Sequence, residues 1–315
     1  MTDKQIKATE QDDSTDYLDF HEIFAEANSK FSRRSPGVED LKHNFVDVFI
    51  QSAIAKCLDF NITANDALNK TRTSFFLIGN TRAICEDLIY TSFLSSIEKS
   101  QANKFASLFM YRSNLNSVYA QTRFFAQNNP LQPSFGSLIP LAQQETNIRG
   151  VKTDLKQLWR QHGVTSPTVE NISKKMGLET TYGYIYHMTS NFVHFNPSIL
   201  LRLGWGNEPV GPFNFSVNHF THYYSSVSRF LGAILFYGYC SRFPDKFTDK
   251  FSEEYIKFIT SRLESNVRWP EIVTFEEMNM EMPNILQTAL MSTIRDENTT
   301  TLPNILSELK SLRSK

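Results

Sequence analysis

Residues 78–97, IGNTRAICEDLIYTSFLSSI, decide the fold. Wound at about 100° per residue, Ile78, Cys85, Ile89, Phe93 and Ile97 fall on one apolar stripe. Asn80, Asp87, Thr91 and Ser95 fall on the other side. That is a helix with one face against a core. Arg82 and Glu86 lie inside the apolar stripe, four residues apart. On a surface such a pair contributes little. Toward a core both charges are costly unless paired and hydrogen-bonded. A functional site and a structural buried pair both remain open here.

The same periodicity extends outward in both directions. In 38–59, Val46, Phe49, Ile50, Ala53 and Cys57 share a face. The long helix spans about 69–97, and another spans 100–127 with Phe105, Phe109, Leu115, Val118 and Phe125. NNPLQPSFGSLIP is a loop, and 145–162 is helical with Gly163 as its stop. SPTVENISKKMGL resembles half of a helix-turn-helix, but an aromatic segment follows it, so a short packing helix is the better reading. Helices are expected over 180–195, 216–243 and 251–262, with a Gly/Pro loop at 203–215. VTFEEMNM suits a brief extended piece, and short helices are expected at 285–291 and 305–312.

The expectation is therefore an all-α protein, an antiparallel helical bundle of five to eight main helices. Residues 1–38 form a polar arm expected to be disordered, 39–266 the helical domain, and 267–315 a C-terminal extension. Composition agrees: 26 Phe against 12 Gly and 12 Pro favours long helices over a turn-rich sandwich.

Composition also excludes some functions. A net charge of -1 gives no global field toward nucleic acid or anionic membrane. Cys57, Cys85 and Cys240 sit far apart in apolar runs, so reduced, packed thiols are expected, and no CxxC pair exists for a zinc ribbon. The longest apolar stretch, 230–239, is about half of what a bilayer span needs. With no signal-like N-terminus, a cytoplasmic protein without a membrane partner is expected.

A second polar face lies on TTYGYIYHMTSNFVHF, residues 180–195. His187 and His194 share it with Tyr184, Ser190 and Asn191, opposite Ile185, Met188, Phe192 and Val193. The arc carries no Lys, Arg, Asp or Glu, which suits a buried polar network or a pocket wall. Structural histidines with satisfied hydrogen bonds remain the plain alternative. His219, His222, Tyr223 and Ser226 share a third face. A metal would need carboxylates at fixed spacing, such as Glu-x-x-His, and these are absent, so neither metal nor cofactor is expected. GxGxxG, GxxxxGK[ST] and GxSxG are absent as well.

The stretch Tyr186-His-Met-Thr-Ser190-Asn-Phe-Val-His194, with the upstream Arg82-Ala-Ile-Cys-Glu86, resembles the domain of unknown function 5677 family over roughly residues 45–240. Those proteins look distantly like HEPN domains. The resemblance implies a helical ribonuclease or nucleotide-binding partner in bacterial defence or toxin systems. HEPN nucleases usually carry Arg, then His four to six residues on, along one helix. Here Arg82 stands on another helix from His194. The resemblance thus implies a binding or regulatory module. The alternative is metal-independent RNA cleavage, with candidate residues His194, His187, Arg82, Glu86 and Ser190. RNA or a partner protein would be the target. A homodimer is expected from the resemblance and from aromatics such as Phe124, Phe125, Tyr223 and Tyr224.

Overall fold

A computed structural model describes residues 20–34, 44–67, 73–128, 139–205, 214–264 and 269–271. It contains ten α-helices among these residues. They are α1 (His21–Lys30), α2 (Phe45–Asp66), α3 (Thr73–Ser95), α4 (Lys99–Asn128) and α5 (Leu141–Gln161), followed by α6 (Val169–Met176), α7 (Glu179–Val193), α8 (Pro197–Arg202), α9 (Thr221–Arg242) and α10 (Phe251–Glu264). A two-stranded antiparallel ribbon, β1 (Gly204–Trp205) with β2 (Asn214–Phe215), lies in what the sequence offers as a loop. The all-α bundle is the architecture expected.

Helix α9 is the axle. Apolar residues surround it, and Val227, Leu231, Leu235, Phe236, Tyr239 and Cys240 are all buried. It packs along α2, α3 and α10. Two glycines let the backbones close in. A Cβ on Gly232 would stand 2.4 Å from Asn61 Oδ1 and 2.8 Å from the Phe60 ring, and one on Gly238 would stand 2.6 Å from a Leu88 methyl. The crossing is also hydrogen-bonded. Asn61 Nδ2 donates to the carbonyls of Cys57 at 2.8 Å and Gly232 at 3.1 Å. Tyr255 donates its hydroxyl to Ala233 O at 3.1 Å, and Tyr239 donates to Ile84 O at 3.3 Å. These donors thereby find carbonyl partners inside the core.

Helix α3 is gripped from both sides, by α9 and α2 on one and by α6 and α7 on the other. Ile78, Cys85, Ile89 and Phe93 are buried as their stripe predicts. Thr91, placed on the opposite side by the same wheel, is only 4% exposed, its hydroxyl donating to Asp87 O at 2.7 Å. A helix packed on two faces keeps only narrow edges in water, and Arg82 and Glu86 occupy one of them.

Helices α4 and α5 form a hairpin. Its base is in the core through Ala102, Phe105 and Trp159, with the indole 4.8 Å from the Phe93 ring and 4.9 Å from that of Phe105. Its distal half is largely exposed. Helix α6 is the short packing helix expected, capped by Thr168 Oγ1, which accepts from Asn171 N–H at 3.2 Å, and closed by Gly177 at φ 68°.

The N-terminal arm departs from expectation over 20–34. Phe20, Phe24, Ala27 and Phe31 are buried at helical spacing, so α1 docks on α2 and α10. The Phe24 ring meets Phe236 at 5.5 Å and Tyr255 at 6.0 Å. Four apolar residues in an acidic, polar context still make one sufficient stripe. Residues 1–19, the extended piece at 273–280 and the short helices at 285–291 and 305–312 lie outside the described residues.

The crossing yields a paired test. Gly232→Ala forces a side-chain carbon into Asn61 and Phe60, at an overpacking cost of about 1–3 kcal/mol that outweighs its helix propensity. Gly150→Ala, on α5 with nothing within 4 Å of the added carbon, gains about 0.5–1 kcal/mol. Thermal melts should move in opposite directions.

Candidate functional site

The site begins with how α7 sits on α3. Tyr182, Ile185, Met188 and Thr189 turn inward and are buried. Thr189 hides its hydroxyl by donating to Ile185 O at 2.7 Å. His187 and His194, expected to face inward, are exposed. The reason is one-sided packing: α3 and α6 cover the Ile185–Met188 face, so His187 and His194 meet solvent, while Tyr184, Ser190 and Asn191 on the same arc are partly buried.

Arg82 and Glu86 form the expected pair. Arg82 Nε donates to Glu86 Oε1 at 2.9 Å, with side chains 26% and 29% exposed. They stand at the rim of the core rather than inside it, because α3's deep faces belong to Ile78, Thr81 and Cys85. The guanidinium carbon lies 4.5 Å from the centre of the Tyr186 ring, a cation–π contact. Tyr186 in turn meets Tyr182 and the His187 ring, each at 5.7 Å. The result is a seam of Arg82, Glu86, Tyr182, Tyr186 and His187 between two helices.

Glu86 sets the seam's electrostatics. Its hydrogen bond holds the Arg82 guanidinium more firmly protonated, against the effect of burial. Burial, and then the Glu86 charge, push the hydroxyls of Tyr182 and Tyr90 above the ordinary tyrosine range. None of the three is tuned to trade a proton near neutrality.

The other candidates are placed differently. The His194 side chain makes no hydrogen bond or ion pair with any described residue. Its helix end lies over the start of α3, where a Val193 methyl sits 3.2 Å from a Cβ built on Gly79. Arg82 directs its described contacts to Glu86 and Tyr186. Ser190 is half-buried, and its carbonyl accepts the His194 N–H at 3.1 Å. Asn191 Oδ1 accepts from Asn196 at 2.7 Å, and Tyr184 donates to Pro270 O. His222 is exposed, and His219 Nε2 lies 2.9 Å from Asn214 O. Among the described residues no three His, Cys, Asp or Glu gather around a metal-sized space.

The aromatics expected to be spare divide. Phe124 is exposed, whereas Tyr224 is buried and Tyr223 bonds the Glu271 carbonyl through its hydroxyl. The two tyrosines belong to the core because α9 turns that face inward. Sequence reasoning missed Tyr182 and Tyr186 as the partners of Arg82. Their signal was an i,i+4 aromatic pair beside His187.

All three thiols are buried and free. Burial pushes Cys85 and Cys240 up to about 12, and Cys57 well above the ordinary thiol range. None is an activated nucleophile.

Fold and seam define a helical protein with a solvent-edged Arg–Glu–Tyr cluster between two helices. Residues 79–209 match the model of a family of unknown function (DUF5677), and this segment carries Arg82, Glu86, Tyr186, His187, Ser190 and His194. No curated protein and no solved structure matches the chain. No helix among the described residues is long and apolar enough to cross a membrane.

Two measurements check this geometry. A double-mutant cycle of Arg82→Ala and Glu86→Ala should give a coupling of about 0.5–1 kcal/mol that shrinks in high salt, as for a partly exposed pair. A salt-insensitive coupling several times larger would place the pair in the core. Native protein should leave Ellman's reagent unreacted at pH 8, and denaturation should release three thiols per chain.

Proposed function

We propose that the protein is a helical binding module, HEPN-like in type, whose recognition surface is the solvent-facing side of α7. The defence or toxin setting is what the family resemblance implies. The observation that carries the reading is apolar exposure beside the histidines. Phe195 is 85% exposed and Val193 51% exposed, flanking His194. Phe76 adds a third exposed apolar side chain on the adjoining start of α3. Such a patch on a folded surface marks an interface. The occupant is a second copy of this chain, docking α7 ends together in a homodimer.

A second reading is supported by a different feature of the same surface. His194 is open to solvent beside the exposed Phe195 ring, on which an unstacked RNA base would lie. His194 would take the proton of a ribose 2′-hydroxyl, His187 would supply one to the leaving oxygen, and Arg82 would offset the phosphate charge. The binding module ranks above it because Arg82 is already engaged by Glu86 and Tyr186, and because His194 has no described group to orient its ring.

Light scattering separates the readings. The binding module predicts a dimer for the native chain and a monomer for Phe195→Asp that keeps its helical circular dichroism, with a native melting temperature that rises with protein concentration and a variant one that does not. A native monomer at high concentration contradicts it. RNA cleavage lost on His194→Ala and Arg82→Ala, at unchanged stability, would favour the enzyme.

A further inference from the structure

Next to the seam on α3, one turn beyond Glu86, helices α2, α3 and α4 splay apart. Between them lies an open groove of about 670 Å³, within the range of about 300–1,000 Å³ typical of small-molecule sites. Apolar and aromatic side chains line it between polar margins. Phe49 comes from α2, Tyr90 and Leu94 from α3, and Phe109 from α4. The Tyr90 and Phe109 rings meet edge to face at 5.6 Å, so two flat faces are held in fixed orientation.

The charges around this groove do not cancel. Lys56 and Asp87 both line it and neutralise each other at 2.7 Å. Arg112, on α4, lines it too and makes no hydrogen bond or ion pair with any described residue. Its positive charge reaches the Tyr90 hydroxyl, opposing the upward push that burial and Glu86 exert there. One unspent guanidinium therefore overlooks an aromatic trough. Guanidinium groups recognise carboxylate, sulfonate and phosphate with paired hydrogen bonds.

We infer that the groove between α2, α3 and α4 is a binding site for a small organic anion, with a flat apolar body against Phe49, Tyr90 and Phe109 and a single acidic group on Arg112. This site is separate from the α7 surface. The size of the groove matches one such molecule. The paired Lys56 and Asp87 leave Arg112 as the uncompensated charge, so a monoanion is preferred to a neutral ring or a cation.

The probe is 8-anilino-1-naphthalenesulfonate, a two-ring body with one sulfonate, compared with the uncharged N-phenyl-1-naphthylamine. Native protein should give saturable fluorescence with one sulfonated dye per chain. Arg112→Gln should weaken the sulfonated dye about tenfold and leave the uncharged dye within twofold. Ser113→Trp, at an exposed position of the α4 wall, should abolish both, and Ser52→Trp should do the same from the α2 wall. Melting curves of each variant confirm that the fold is retained. The inference is overturned by dye binding that does not saturate, by more than one dye per chain as on a broad docking face, by binding that survives both tryptophan variants, or by an Arg112→Gln effect equal for the two dyes.

Discussion

The close crossing of α9 over α2 and α3 is the constraint from which the rest follows. Gly232 and Gly238 remove the side chains that would hold the helices apart, and Asn61, Tyr239 and Tyr255 tie the approaching backbones. Interiors are close-packed, so backbone positions settled at such a crossing are passed on to every helix in contact. With α9 on one side, α3 has one long face left, and α6 and α7 take it. What remains of α3 for water is the edge that carries Arg82 and Glu86 and the margin that opens onto the groove.

That geometry explains a rim site rather than a buried one. A fully buried ion pair would have to offset the desolvation of both charges. At the edge, Arg82 keeps partial hydration, one carboxylate and one aromatic face. The arrangement holds a guanidinium in a defined orientation at modest cost. Further along the same helix, Asp87 and Tyr90 open onto the groove shared with α2 and α4. One helix thus presents chemistry on both of its uncovered margins.

The helices were legible because their signals are local. The stripe at 78–97, the apolar run within 216–243 and the Gly163 stop all act within a few residues, and all appear in the structure, the second as the helix Thr221–Arg242. Helix α1 escaped because Phe20, Phe24, Ala27 and Phe31 stand among charges that raise the polarity of the whole segment. The Arg82–Glu86 pair was legible as an i,i+4 spacing. Its depth was not, since a wheel shows direction but not which neighbours cover it. The histidine arc misled for the same reason. Lack of charge was taken as burial, whereas α7 is packed on one side and leaves His187 and His194 in water. The groove depends on three helices splaying apart, which no single stretch of sequence encodes.

The central claim is that α7 presents its histidines outward while the aromatic core lies behind it. Diethyl pyrocarbonate labelling, read by peptide mass spectrometry, tests this residue by residue. His187 and His194 should be modified in the folded monomeric Phe195→Asp chain nearly as fast as in the denatured chain. His162, half-buried against Phe93 and Phe105, should lag behind both. Protection of His187 and His194 as strong as that of His162, in the monomeric chain, would contradict the account and return them to the core.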